Sequence, residues 1–279
     1  MKPIYPSLKK VSLFLFISIS LFNGHNALAS ENTIKFFTAP THPKAVTEAI
    51  YVPILTYLSG KVGKKIELVH TNNFLDYTLR MRKNQFDLAF DGPHFVSWRM
   101  KKLADVPLVR LQGQIQVLLA APNSEEAITQ ATDLIGRKVC GFPSPNLLTM
   151  AILDDYKNPM RQPLLISGKG FKGLQDCIKN QRGQAVILRQ EFWSKMDQSK
   201  FKLLMRNERT YPERTFSASS SLDSSTRKTI KDALLSPEAT PHLQKLLTTF
   251  KKKALVPTNN EEFDFLYQLL APLWGFKID

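Results

Sequence analysis

From Ile34 onward the chain alternates short apolar runs with amphipathic stretches. Ile34-Lys35-Phe36-Phe37 reads as a strand that halts at Thr38-Ala39-Pro40-Thr41-His42-Pro43. Val46, Ala49, Ile50, Pro53, Ile54, Tyr57 and Leu58 then recur at helical spacing. Pro43 suits a first turn, Pro53 predicts a bend, and Ser59-Gly60 predict the helix end. Residues 66–70 form a second strand, and Asn72-Asn73 cap a helix carrying Phe74, Tyr77, Leu79 and Met81. The segment KNQFDLAF, from Lys83, is a helix stop running into a third strand, with Asn84 suited to the left-handed cap position. The order β-α-β-α-β predicts a parallel sheet with right-handed crossovers.

A helical stretch follows over 96–102, then a longer apolar strand over 115–121. From Leu134 the pattern restarts: strand 138–142, helix 146–156, strand 163–166, helix 170–180 and strand 184–188. Lys179-Asn180-Gln181-Arg182-Gly183-Gln184-Ala185-Val186-Ile187 echoes KNQFDLAF at the same point of this second series, which predicts two similar lobes. The final third reads differently. Ser217 to Leu222 is a polar linker, and Ile230, Leu234, Leu243, Leu246, Phe263, Leu266 and Leu270 lie on amphipathic helices separated by Pro237, Pro241 and Pro257. No strand is expected there, and these helices are expected to pack back on the first lobe.

Upstream of all this, Lys2, Lys9 and Lys10 precede the apolar run 11–22, and Ala27-Leu28-Ala29 precede Ser30. This is the pattern of a secretory signal peptide cleaved near Ala29/Ser30, so an exported protein is expected. An uncleaved anchor is the alternative, although the run is about half of the ~20 residues that span a bilayer. Without the leader, 35 basic and 24 acidic residues leave a net charge of +11. In an exported chain that field selects small anions, acidic polymers or anionic lipid rather than nucleic acid. Most of these lysines simply solvate the surface, and Lys251-Lys252-Lys253 reads as a wet helix end. The 43% apolar composition supports a large core in one domain or two lobes. Cys140 and Cys177 are the two cysteines, either paired or separately buried.

In open α/β sheets the ligand crevice lies beyond the carboxyl ends of the strands, where helix amino termini converge. Three junctions qualify: 38–42, 91–94 and 143–149, the last reading Pro143-Ser144-Pro145-Asn146-Leu147-Leu148-Thr149. Free N–H groups and the helix dipole there stabilise an oxyanion. Thr38, Thr41, Ser144, Asn146 and Thr149 supply possible donors, Asn146 equally being an N-cap of its own helix. His42 and His94 follow strand ends, facing the crevice or satisfied structurally. Arg189 follows the strand 184–188, gripping an oxyanion in bidentate fashion or pointing outward. Trp98, Trp193, Trp274 and Phe95 are expected in the core. The five histidines show no short ligand spacing, so no metal is expected. Neither a nucleophile elbow, a paired-carboxylate site, a P-loop nor a zinc helix motif occurs, so neither catalysis nor a cofactor is expected.

The leader, IKFFTAPTHPKAVTEAIYVPILTYLSGKVGKKIELV, KNQFDLAFDGPHF, DLIGRKVCGFPSPNLLTMAIL and AVILRQEFW together resemble the phosphate/phosphite/phosphonate family of periplasmic substrate-binding proteins of ABC transporters. The resemblance covers roughly residues 34–235. It implies the type 2 periplasmic-binding fold, two α/β lobes with a ligand cleft between them and C-terminal helices on lobe 1. It places lobe 1 at 30–113 and 214–279, lobe 2 at 114–213, and the crossings near 111–116 and 209–217. Where the family has a Ser/Thr-rich turn with a glycine, this sequence has residues 143–149, and Gln184 stands where aspartate is common. The implied function is capture of a small oxyanion by a monomer that delivers it to a membrane permease. A sensory protein of the same fold, signalling to a receptor or kinase, is the alternative.

Overall fold

A computed structural model describes Met1 and residues 33–278. The leader and its cleavage site lie outside the described residues. In chain order the elements are β1 (Ile34–Thr38), α1 (Lys44–Val62), β2 (Ile66–Leu68), α2 (Phe74–Arg82), β3 (Leu88–Asp91), α3 (Pro93–Leu103), β4 (Val106–Leu111), β5 (Gln114–Ile115), β6 (Val117–Pro122), β7 (Lys138–Gly141), α4 (Leu147–Asp155), β8 (Leu164–Ser167), α5 (Gly170–Lys179), β9 (Ala185–Arg189), α6 (Gln190–Trp193), β10 (Phe201–Arg206), β11 (Tyr211–Pro212), β12 (Thr215–Ala218), α7 (Ser224–Leu235), α8 (Thr240–Phe250) and β13 (Leu255–Pro257). They build a six-stranded sheet in the order β13-β4-β12-β3-β1-β2 and a five-stranded sheet in the order β10-β6-β9-β7-β8. A two-stranded ribbon pairs β5 with β11, so that Ile115 faces Tyr211 where the chain passes from one sheet to the other.

Within the first sheet β1 pairs in parallel with β2 and β3, as the β-α-β-α-β pattern requires. Successive side chains of β1 go to opposite faces. Phe36 enters the core under α1, α7 and α8, and Phe37 the core under α2 and α3. The second sheet repeats the scheme, with β7 parallel to β8 and β9. Its faces are covered by α4 on one side and by α5 with Trp193 on the other. Cys140 of β7 and Cys177 of α5 are joined in a disulfide, their Cα atoms 6.1 Å apart.

Several expectations need correction. Ser59 and Gly60 do not end α1. The Ser59 hydroxyl turns back to the Leu55 carbonyl at 2.7 Å, the helix runs on to Val62, and Gly63 takes the left-handed cap at φ 67°. Likewise α3 begins at Pro93, because a proline at the first helical position loses no hydrogen bond. The final third does contain strands: β12 lies between β3 and β4, antiparallel to both, and β13 forms an edge. The supposed linker therefore begins as a buried strand, with Ser217 1% exposed, because its hydroxyl is bonded by Arg99 at 2.7 Å. The strands β4 and β10 were also unforeseen, their apolar runs being short and interrupted by Pro107, Arg110 and Lys202. Of the aromatic residues assigned to the core, Phe95, Trp98 and Trp193 are buried, whereas Trp274 is exposed, with the Arg82 guanidinium 4.8 Å from its ring centre. The echo between the two halves is offset by one residue. Asn84 and Gln181, each four positions before its strand, take the left-handed conformation at φ 54° and 53°.

The C-terminal segment is stitched to α3. Ser97 donates to the Phe263 carbonyl at 2.7 Å, and Trp98 donates to that of Phe276 at 3.0 Å. Leu270 enters a core of the first sheet, while Leu266 and Leu269 enter one of the second. Among the described residues no helix is long and apolar enough to cross a membrane.

Candidate functional site

At the carboxyl end of β1, Thr38 is buried, its hydroxyl donating to the Phe90 carbonyl at 2.9 Å and standing 3.2 Å from the Tyr51 hydroxyl. Two residues before α1, His42 is half-buried and edge-on to Phe250, ring centres 6.0 Å apart. Arg214, just before β12, lays its guanidinium over the same Phe250 ring at 5.1 Å. Burial and the charge of Arg214 both hold His42 below its usual pKa, which keeps the ring neutral. Burial pushes Tyr51 up to about 12, with Arg214 acting against it. Among the described residues Arg214 has no carboxylate within ion-pair distance. A half-buried cation without a counter-ion, beside neutral donors, is the arrangement that attracts an anion.

At the end of β3, Asp91 is fully buried and takes two bonds from Arg99, at 2.7 and 3.0 Å, and one from the Tyr77 hydroxyl. This fixes the turn into α3 and places His94 against the second lobe. His94 lies 2.9 Å, Nε2 to oxygen, from the Pro145 carbonyl. A carbonyl only accepts, so Nε2 carries the proton and Nδ1 is a bare acceptor, buried and without a partner. Burial brings the ring's pKa down to about 4, so the imidazole is neutral.

On the facing loop, Ser144 is exposed and stands near the Met150 sulfur, and the Ser144–Pro145 peptide is cis. Asn146 caps α4 through the Leu148 amide at 3.0 Å. Thr149 is buried, donating to the Phe142 carbonyl at 2.6 Å. Thr41, two residues before Pro43, is exposed.

Arg189 is part of a four-charge cluster. Its Nη2 meets Glu213 and lies 3.6 Å from Glu191, while Lys252 reaches Glu213 at 2.6 Å and Glu191 at 2.7 Å. Glu213 is 2% exposed and the Lys252 side chain 8%. Lys252 follows α8, on the first sheet, and Glu191 lies in α6, beside the second. The middle lysine of the supposed wet helix end thus ties the two sheets together. Its neighbours Lys251 and Lys253 are exposed as expected.

The structure brings Thr38 and His42 together with Arg214 and Tyr51, and His94 together with the 143–149 loop. Arg189 stands apart in the ionic cluster. Arg214, Tyr51, Glu213 and Lys252 were missed from the sequence. The one available signal was that Glu213 and Arg214 fall inside the expected crossing 209–217, which borders the cleft. Among the described residues no group of three or more His, Cys, Asp or Glu could hold a metal ion.

Residues 36–263 match the family described as "ABC transporter, phosphonate, periplasmic substrate-binding protein". The chain belongs to this family. Structures sharing the fold of this phosphonate-binding family member include PhnD1 of Prochlorococcus marinus in complex with methylphosphonate, at TM-score 0.63 and 13% identity, covering 86% of this chain and 98% of the other. A protein of Xanthomonas citri bound to ATP superposes at TM-score 0.67 and 13% identity, covering 88% and 98%. A binding protein component of an ABC phosphonate transporter from Pseudomonas aeruginosa gives 0.60 and 13%, covering 85% of each chain. No curated protein matches in sequence. These likenesses fix the type 2 periplasmic-binding fold: two α/β lobes with a cleft between them.

Proposed function

We propose that this member of the phosphonate-binding family captures a small oxyanion between its lobes in the periplasm, without chemical change, and delivers it to an ABC permease. The observation that carries this reading is Arg214, a half-buried guanidinium at the cleft with no carboxylate partner among the described residues. His42, Tyr51 and Thr38 surround it on one wall, and His94 with the 143–149 loop closes the other side. Thr41, Ser144, Asn146 and Thr149 belong to the rim and to the loop that shapes it. The lobes divide at the ribbon of β5 and β11, giving 30–113 with 214–279 and the intervening 114–213. His94 to Pro145 and Lys252 to Glu191 are the contacts that closure makes and opening breaks. In this reading Arg189 acts within that latch by holding Glu213.

Thermal-shift titration with methylphosphonate, phosphate, phosphite and sulfate tests it. A ligand at 100 times its Kd adds ~2.7 kcal/mol to stability. Arg214→Ala is expected to weaken the best ligand by roughly 10- to 100-fold, as loss of a charge-assisted contact does, with the unliganded Tm little changed. Indifference of the protein to every oxyanion, or equal binding by the variant, would overturn the proposal. Recovery of the ligand unaltered is the expected outcome of prolonged incubation.

A further inference from the structure

At the far end of α4 from the cleft lies a cavity of about 500 Å³. The nine residues of α4 put roughly 13 Å between the Asn146 cap and this end. Its walls come from the last residues of α4, the segment after β10, Tyr211 of the ribbon, and the C-terminal segment at 265–269. One half is rich in acceptors. Asn207 is only 7% exposed; its Nδ2 donates to the Asp155 carboxylate at 2.7 Å, which fixes the amide so that Oδ1 is an acceptor, and Oδ1 has no partner. Asp154, Asp155 and Glu208 add carboxylates, and the helix carboxyl end adds partial negative charge.

Two of the wall residues, Arg206 and Arg209, are cations, each bonded to a neutral oxygen, and a third cation stands close by. Arg206 donates to Gln190 at 2.6 Å, Arg209 to the Asp264 carbonyl, and Lys157 pairs with Asp154 at 3.6 Å. Among the described residues neither Asp155 nor Glu208 has an ion-pair partner. Burial raises the Asp155 carboxyl above the usual carboxylate range; Lys157 opposes the shift, and Asp154 and Glu208 add to it. The other half is apolar: Met205, Leu266 and Leu269, with the Phe265 ring 61% exposed on a backbone held at φ 63°. A bare metal ion has no use for such a surface, whereas an organic cation does.

We propose that this cavity binds a primary alkylammonium group, its N–H donors shared between Asn207 Oδ1 and the carboxylates of Asp155 and Glu208, and its carbon chain laid on Phe265, Leu266 and Leu269. A free amine and a lysine side chain of another protein present the same head group. Butylammonium and the peptide acetyl-Gly-Lys-Gly-amide are therefore titrated in parallel by calorimetry into the whole chain at pH 7.5. Saturable binding of either is expected, the tighter one naming the source. Asp155→Asn and Glu208→Gln should each weaken it about tenfold, while Arg214→Ala leaves it unchanged. Tetramethylammonium, a cation without N–H donors, should bind at least about tenfold more weakly. The idea fails if neither probe binds, if tetramethylammonium binds as well as butylammonium, or if both carboxylate variants, folded by circular dichroism, bind as the parent does.

Discussion

In the first sheet the buried strands β3 and β12 are tied to α3 by charge; in the second, β7 is tied to α5 by a covalent link. Arg99, fully buried, holds Asp91 at the end of β3, Ser217 in β12, and Asp105 at 3.2 Å. The disulfide Cys140–Cys177 serves the smaller sheet, whose edge strands carry Leu164 at 56% and Leu203 at 41% exposure. A buried ion network fixes geometry but tolerates no loss of a member, because each charge left behind is stranded in an apolar core. A covalent link makes no such demand on its surroundings, and it acts largely on the unfolded chain.

The largest effect should come from Arg99→Met. Stranding Asp91 and Asp105 is expected to cost about 3–5 kcal/mol. Urea unfolding followed at Trp98, which packs in the first sheet, would show it, and a smaller shift than that of a surface arginine variant would refute it. Next comes the paired replacement of Cys140 and Cys177 by serine. With the two cysteines 37 positions apart, the loss should be ~3–4 kcal/mol, read from Trp193 in the second sheet. If the two reporters move together in both variants, the sheets unfold as one cooperative unit and the comparison is blunted.

The smallest effects are pH-dependent and of opposite sign. Burial raises the Asp105 carboxyl to about 6, Arg99 acting against it. The folded state then holds this proton more tightly than the unfolded chain, so the contribution of Asp105 is greatest below pH ~4 and is lost as pH rises toward 6, by up to roughly 3 kcal/mol. His94 behaves in reverse. Its pKa falls to about 4, so its neutral burial is fully tolerated above pH ~6.5 and is penalised as pH falls toward 4. Relative to the parent, Asp105→Asn should lose stability in acid and His94→Gln should gain it, measured as Tm between pH 4 and 6.5. Slopes of the same sign would show that one of these environments has been misread.

Much of this architecture is written in local pattern. Both β-α-β-α-β series declare themselves because each strand is a short apolar run followed by a helix with period 3.6, and Asn73 caps its helix as read, accepting from the Asp76 amide at 2.9 Å. What escapes is whatever depends on a distant partner. Ser217 to Leu222 reads as a linker because it is small and hydroxylic, and only Arg99, more than a hundred positions away, makes burial of Ser217 in β12 acceptable. Lys252 looks like one of three solvated lysines until Glu213 and Glu191 meet it. Arg214 is marked only by falling inside the expected crossing 209–217. What sets it apart is that its chain neighbour Glu213 pairs with Arg189 and Lys252 instead, which spacing along a chain cannot reveal.

The position of β12 also orders the assembly of the molecule in time. Everything in the five-stranded sheet comes from one continuous stretch, Val117 to Arg206, and can pair without waiting for any later segment. The six-stranded sheet cannot. Its strands β3 and β4 have no neighbour in common until residues 215–218 arrive, and before that each presents an open edge to any other chain nearby. The sheet that begins first in the chain is therefore the last to be completed, and the interval between is when the chain is most exposed to misassembly.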